Sequence, residues 1–510
     1  MNKETPHRQK YTNIIIYTTL ATLGMFAIFM VFKSTALSGP GVSSDALHYI
    51  STAENLAKGN GYYSYNGKPY THWPPLFPSL LAILRLFKFE PLDGAKIINA
   101  ISFALVIFCS GLIFAKRIKS PLIIIIGSAS VLISATMLRI SVYAWTEPLF
   151  ALLVILFMFS IVRFLKSYHL KSLVLASVYA ALGFLQRYVG LAIVIAGLFS
   201  ILLLTPQAKW RQKLNYATIF GAISCIPLGL WFLRNKFIAS TAADYHLWLD
   251  TSLLKEITKT LNSLTPWFVT KNIPLVWRLI IIGALISFLV VAVILKNRKF
   301  GKEKLGDTML VKASLVLIAV YAVFTTIASV YVNADADYRI YSSVYLFIIL
   351  LFLVGFESVG KLSGAILKKE WLGYLAVSVF CGLWLVLYPL PMVMQQIAHY
   401  QKYGVPGYNS IAWQMSPLVN WVKTHPLDGQ IFSNEPHPLV LLAGVNANIT
   451  PNKQFGFENF KHRISTSKKN YLIWYYNHWR NHLYNFKELN AQFKLKPIAK
   501  LPDGVVFEIQ

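Results

Sequence analysis

Charge is the scarcest commodity in this chain of 510 residues: Asp, Glu, Lys and Arg together supply 14% of it, against about 25% in an ordinary soluble domain. That scarcity, with 55% apolar residues and a mean hydropathy of +0.52, excludes a disordered, collagen-like or coiled-coil chain and leaves an integral membrane protein. Cysteine is almost missing as well. Cys109, Cys225 and Cys381 all lie inside apolar runs, which excludes a disulfide framework or a CxxC metal site. The sequence holds no GxxxxGK[ST], GxGxxG or HExxH, so neither nucleotide-driven chemistry nor a zincin is indicated. Internal repeats and low-complexity tracts are absent too. Acids are the rarer charge, 21 against 48 bases, for a net charge of +27. The bases fall in short clusters between apolar runs, the topology signal of a multispanning protein, whereas a nucleic-acid binder gathers them on one face of a soluble domain. No nucleic-acid partner is expected.

What is present is a succession of apolar runs, each near the roughly 20 residues that cross a bilayer. They lie at 13–32, 93–115, 121–138, 147–165, 171–186, 189–204, 215–233, 274–295, 311–331, 341–358 and 371–394, which gives about eleven spans. The fifth and sixth are short, and read as tilted spans or as one broken helix. Trp73 to Phe87 is apolar but too short to cross; its prolines suggest a juxtamembrane or half-inserted helix with Pro in the first turn. The first run has too long an apolar core, and no small-residue cleavage site, for a cleaved signal, and is expected to remain as an anchor. Lys3, Arg8 and Lys10, then Lys116, Arg117 and Lys119, and in turn every second loop through Lys302, Lys304 and Lys361 to Lys369, fall on one side, predicted to be cytoplasmic. The reading is a multi-pass protein of the inner or plasma membrane with its amino terminus in the cytoplasm.

The outer side then receives the loop 33–92, the loop 234–273 and the tail from about 395 onward. The tail alternates an amphipathic stretch, Asn409 to Lys423, with short β-type runs at 430–434 and 471–476. It closes in a predicted hairpin, PIAKL-PDG-VVFEI, turning at Asp503-Gly504. The expected division is a transmembrane domain, 1–394, and an outer α/β domain, 395–510.

The informative residues are ionisable or aromatic groups at the outer ends of spans. Asp45 shares one helix face with Tyr49 and Ala53, and Ser43 or Ser44 is placed to cap that helix. It reads either as a first-turn acid favoured by the helix dipole or as a general base. Glu147 opens the fourth span in WTEPLF, an ordinary helix-start signal, yet a second carboxylate at this boundary is suited to bind an acceptor hydroxyl, orient a base or help hold a cation. Arg187, in GFLQRYVGL beside Tyr188, stands between two apolar runs, where a guanidinium either snorkels or binds an anion. Arg234 ends the seventh span, and Arg339 precedes the tenth in DADYRIYSSVY, where Asp335 and Asp337 are available as partners. Three arginines on one apolar boundary suit a lipid-linked phosphate or pyrophosphate. His72 and Trp73, with Tyr62, Tyr63, Tyr65 and Tyr70, form an aromatic loop that reads as an interface belt or as sugar-stacking surface.

In order, an outer loop with Asp45, then HWPPLFPSLLAILRLF, WTEPLF, GFLQRYVGL, WFLRNKF and DYRIYSSVY resemble the GT-C superfamily of membrane glycosyltransferases, in the branch of protein O-mannosyltransferases and lipid A aminoarabinose transferases. The resemblance spans roughly residues 10–395. It implies a GT-C-type helical bundle, a polyprenyl-phosphate-linked sugar as donor and a glycan, lipid or protein as acceptor. Asp45 would deprotonate the acceptor hydroxyl, which displaces polyprenyl phosphate with inversion, while Arg187 and Arg339 stabilise the leaving phosphate. Read from their positions at the outer boundary, Arg234 is a third candidate phosphate ligand and His72, Trp73 and Tyr188 are candidate substrate-lining residues. Several members carry an Asp-Glu pair in the first loop; here Ala46 follows Asp45 and no Asp-x-Asp follows it, so a divalent metal is left open but not supported, and no other cofactor is called for. The rival reading from another class is a transporter or flippase of a lipid-linked sugar, against which stand the missing repeat and the charges gathered at one boundary.

Overall fold

The structure, a computed structural model, describes residues 6–244, 252–301, 308–332, 336–453, 456–467, 469–477, 480 and 482–510, with side chains from residue 11 onward. Lys3, Lys302, Lys304 and Asp335, named above, lie outside the described residues, as do the side chains of Arg8 and Lys10. The chain divides into two compact units.

The first unit comprises Met1–Lys33, Thr71–Phe77 and Ala95–Ala398 and is helical. Among the described residues, eight helices are long and apolar enough to cross a membrane, and nine if a bent pair is one span. The protein is thus a multi-pass membrane protein. The span read at 121–138 is that pair: Pro121–Leu132 and Ala135–Val142 meet at 46°, because Ser134 turns the chain and caps the second helix by accepting from Met137 N. Leu170–Gln186 and Leu191–Leu203 are two short apolar helices separated by an extended residue, Arg187 (φ −151°, ψ 138°), and a 3-10 turn, Tyr188–Gly190. The break has a steric signature: a Cβ on Gly190 would sit 2.6 Å from the Gly183 backbone, so the two segments approach as only glycine allows. The last apolar run continues well past residue 394, through Glu370–Leu387 and Pro389–Tyr403.

Many of these helices show lipid-type surfaces. Leu275–Phe300 leaves Val276, Trp277, Ile280 and Phe288 exposed, as a helix facing hydrocarbon should. Within the bundle, close packing relies on small residues; a Cβ on Gly373 would fall 2.0 Å from the Gly360 carbonyl. An interior ion pair ties two spans of this unit: Arg117, ending the Pro91–Arg117 helix, donates to Glu357 of Tyr345–Ile366 at 3.1 Å, and Lys119 N donates to the same carboxylate.

The second unit gathers Ser34–Tyr70 and Pro78–Gly94 with His399–Gln510. Its centre is a five-stranded mixed sheet, β1 Gln430–Ser433, β2 Ala447–Ile449, β3 Asn470–Tyr475, β4 Leu495–Leu501 and β5 Gly504–Ile509, in the order β2-β1-β3-β5-β4. β1 runs parallel to β2 and β3, and the β4–β5 hairpin adds antiparallel to β3. Alternation along β3 feeds two cores. Tyr471, Ile473 and Tyr475 pack with Leu418 and Val422 of the Pro417–Thr424 helix, while Leu472 and Trp474 pack with Phe460 of Phe457–Thr466. The hairpin turn is also a brace: the Asp503 carboxylate accepts from Ser416 Oγ and from Leu418 N at 3.1 Å, fixing the start of Pro417–Thr424. The loop 34–70 is tied in by Asn409, whose amide donates to the Ser38 and Pro40 carbonyls, each at 2.7 Å, and accepts from Val42 N. Trp73, Pro74 and Pro75 precede the short apolar helix, which spans Leu76–Leu86, so the first-turn proline is Pro78.

Candidate functional site

The first unit builds its polar centre on a helix start and a helix break. Glu147 begins the Glu147–Ser167 helix with Pro148 behind it, and burial covers it almost completely. Arg187, at the break, reaches it through Nη1, 2.6 Å from Glu147 Oε1, and Arg339 Nε donates to the same oxygen. The helical break is what frees Arg187 to point there, since an uninterrupted helix would have fixed its direction by the 3.6 period. Arg339 stands in the four-residue turn Tyr338–Tyr341, capped by the Asp337 carboxylate, which accepts from Arg339 N at 2.9 Å and Ile340 N at 3.3 Å.

A polar frame fixes these three charges. Arg187 Nη1 also donates to Thr146 Oγ1 at 2.7 Å, and Gln186 Nε2 donates to the Thr146 carbonyl at 3.1 Å. The Arg339 guanidinium lies 4.0 Å from the centre of the Trp145 ring, which stacks on Tyr143 at 4.1 Å. The buried Asn99 amide holds both aromatic residues by their carbonyls, at 2.8 and 3.0 Å. Tyr321 OH, donating to the Ile340 carbonyl, fixes the turn from the Thr308–Val332 helix.

The arrangement has a direction. The Glu147 side chain is 2% exposed, whereas those of Arg187 and Arg339 are 14% and 19% exposed. The carboxylate is the backing and the guanidiniums are the face. Each guanidinium keeps part of its surface open, and a planar guanidinium matches the oxygens of an incoming phosphate.

Other residues singled out from the sequence take different places. Tyr188 OH donates to the Thr71 carbonyl at 3.1 Å and packs on Phe232. Neighbouring His72 sits edge-on to Trp73 at 4.4 Å and bonds the Asp244 carbonyl through Nδ1 at 2.8 Å. Arg234 is engaged on its own helix, donating to Asn235 Oδ1 at 2.9 Å and lying over Trp231. Asp45 belongs to the second unit, in the first turn of Ser44–Ala57, which Ser43 caps by accepting from Ala46 N. Among the described residues, no three His, Cys, Asp or Glu converge as a metal site requires.

A second polar cluster, in the second unit, was missed from the sequence. Arg480 donates through Nε to Glu435 Oε2 at 3.2 Å, and through Nη2 to Tyr408 OH at 2.9 Å and His437 Nδ1 at 3.0 Å. Because a guanidinium only donates, His437 Nδ1 must accept, leaving its proton on Nε2. Burial, then Arg480 and His48, pull the His437 pKa down to about 3, with Asp45 opposing. The signal available was Glu435-Pro436-His437-Pro438 straight after a β-type run.

Fold and site together define a polytopic membrane protein with a buried carboxylate–diarginine centre and an attached mixed-sheet α/β unit. No protein-family model and no curated protein sequence matches the chain. Solved structures do. ArnT from Cupriavidus metallidurans in the apo state aligns with a TM-score of 0.60 at 12% identity, covering 96% of this chain and 97% of that one. The same protein bound to undecaprenyl phosphate gives 0.59 with the same identity and coverage. The archaeal oligosaccharyltransferase AglB from Archaeoglobus fulgidus, with an inhibitory peptide and a dolichol-phosphate, gives 0.54 at 14% identity, covering 89% of this chain and 69% of that one. The chain therefore shares its fold with these solved membrane proteins, a polytopic helical bundle with a small mixed-sheet unit.

Proposed function

We propose that the protein is a membrane glycosyltransferase that moves a hexosyl or pentosyl group from a polyprenyl-phosphate donor to a hydroxyl of a glycan, lipid or protein acceptor on the outer face of the membrane. The observation that carries the reading is the Glu147 carboxylate shared by two partly exposed arginines in a bundle of this fold. Similarity to structures solved with undecaprenyl phosphate and dolichol-phosphate supports a lipid phosphate as the anion.

In the proposed reaction Asp45 takes the proton of the acceptor hydroxyl, whose oxygen bonds to the anomeric carbon as the bond to the phosphate oxygen breaks, with inversion. Polyprenyl phosphate leaves with the electron pair. Arg187 and Arg339 carry the charge that grows on it, and fixed charges of this kind can be the largest single catalytic contribution. Arg234 is a third phosphate contact, and His72, Trp73 and Tyr188 line the substrate. Glu147 is a positioning residue: with both guanidiniums on its carboxylate, it acts through them.

Membranes holding the protein, incubated with radiolabelled polyprenyl-phosphate hexoses and pentoses, should pass label into a lipid, glycan or protein fraction. Label that stays on the donor while moving across the bilayer would replace transfer by transport.

A further inference from the structure

The second unit contains a cavity of about 310 Å³, near the lower end of small-molecule pockets. Among the described residues its charged lining is Lys68, Arg463 and Arg480, and of these Arg480 is paired with Glu435 behind the wall, which leaves Lys68 and Arg463 as the cations that set the sign. Ser44, Tyr65, Asn66 and Asn448 add hydrogen-bonding groups without formal charge. Burial raises the pKa of Tyr65 despite the pull of Arg480, so its hydroxyl keeps its proton, and neutral His437 presents an N–H rather than a second acceptor.

The site is built rather than incidental. Arg480 and His437 are 6% and 5% exposed, and the Glu435–Tyr408 pair fixes Arg480. His48, on the opposite segment of the same unit, is fixed by Ser64 Oγ at 2.6 Å and lies 5.0 Å from the Tyr65 ring. Arg463 rests over Phe432 at 5.4 Å. A lining of cations plus neutral donors and acceptors complements a polyhydroxylated anion. Ser44, on the cavity wall, is bonded in the chain to Asp45, whose charge acts on His437.

We propose that this cavity seats an anionic sugar unit of the acceptor, its phosphate or carboxylate held by Lys68, Arg463 and Arg480; the inference rests on the transferase reading above. It makes the acceptor an acidic glycan or glycolipid and separates two anion sites in one chain, one for each substrate.

The test uses the full chain in nanodiscs and measures binding of glucose 6-phosphate, glucuronate and glucose by saturation-transfer NMR and equilibrium dialysis. The charged sugars should bind at least about tenfold more tightly than glucose, the scale of one charge-assisted contact. The Lys68→Gln/Arg463→Gln pair, at positions that are not fully buried, should lose that margin, and Arg463→Lys should keep most of it. Undecaprenyl phosphate binding, measured in parallel, should not change. Equal affinity for charged and neutral sugars, no loss in the double variant, or inorganic phosphate competing as well as glucose 6-phosphate would each overturn the proposal. Because binding is read without turnover, failure of the transferase reading would appear separately, as binding with no transferred label from any donor.

Discussion

At the residue scale, the account turns on what Glu147 is for. One of its carboxylate oxygens meets both Arg187 and Arg339, so Glu147→Gln would remove the anion that the two guanidiniums share in a mostly dehydrated setting. Breaking a buried pair from one side typically costs about 3–5 kcal/mol. The expected result is a lower unfolding temperature together with loss of donor use. An acid–base role alone would instead spare stability, which thermal unfolding in detergent distinguishes. Arg187→Lys keeps charge but loses the planar guanidinium, whose Nη1 contacts both Thr146 and Glu147, and with it bidentate donation to a phosphate. Donor kcat/KM should fall by about tenfold or more at near-normal stability. Wild-type donor kinetics in that variant would remove Arg187 from phosphate binding.

At the scale of elements, the interior pair Arg117–Glu357 joins the end of one span to the body of another. Glu357→Ala should destabilise the bundle by about 3–5 kcal/mol without altering donor affinity, read by thermal unfolding beside lipid-phosphate binding. His437 gives the second unit a pH dependence. Its pKa lies at about 3 in the folded chain against 6.5 ordinarily, so the unfolded state takes up the proton first. Its contribution is present above pH 6.5 and is lost as pH falls through that window toward 3, so His437→Gln should flatten the acid limb of the stability profile. Arg480, His48 and Asp45 face this ring, and a limb unchanged in the variant would assign the acid sensitivity to other groups.

The sequence made some elements legible and hid others for physical reasons. Apolar length announced most of the spans, local chemistry narrowed the cap to Ser43 or Ser44, of which Ser43 takes the role, and β1, β3 and the closing hairpin showed as short β-type runs and an Asp503-Gly504 turn. β2 has three residues, too few for a period to show. The bend at Ser134 was covered by a continuous apolar run, because hydropathy does not register a change of axis. Glu147 and Arg339 are 192 residues apart, and Arg117 and Glu357 240 apart. Such pairs leave no local trace, since what joins them is the packing of distant helices. For the same reason Arg187 could be flagged as costly while its partner could not be named.

At the scale of the whole molecule, we propose from the alternation of basic loops that the amino terminus is cytoplasmic and that residues from about 395 onward lie outside. Protease added to intact spheroplasts should remove the tail; cleavage only in inside-out vesicles would reverse the orientation. The central claim is sugar transfer with Asp45 as the base, and Asp45→Asn under single-turnover conditions tests it most directly. Asn is nearly isosteric and caps helices well, so a helix-start role for Asp45 predicts activity close to wild type. A general base predicts a fall of about 10²–10⁴-fold, because an amide cannot take the hydroxyl proton. Labelled donor, purified wild type and variant, and parallel measurements of donor binding and thermal stability complete the experiment. Loss of transfer with donor binding and stability intact is the predicted result; transfer within a few-fold of wild type would contradict it.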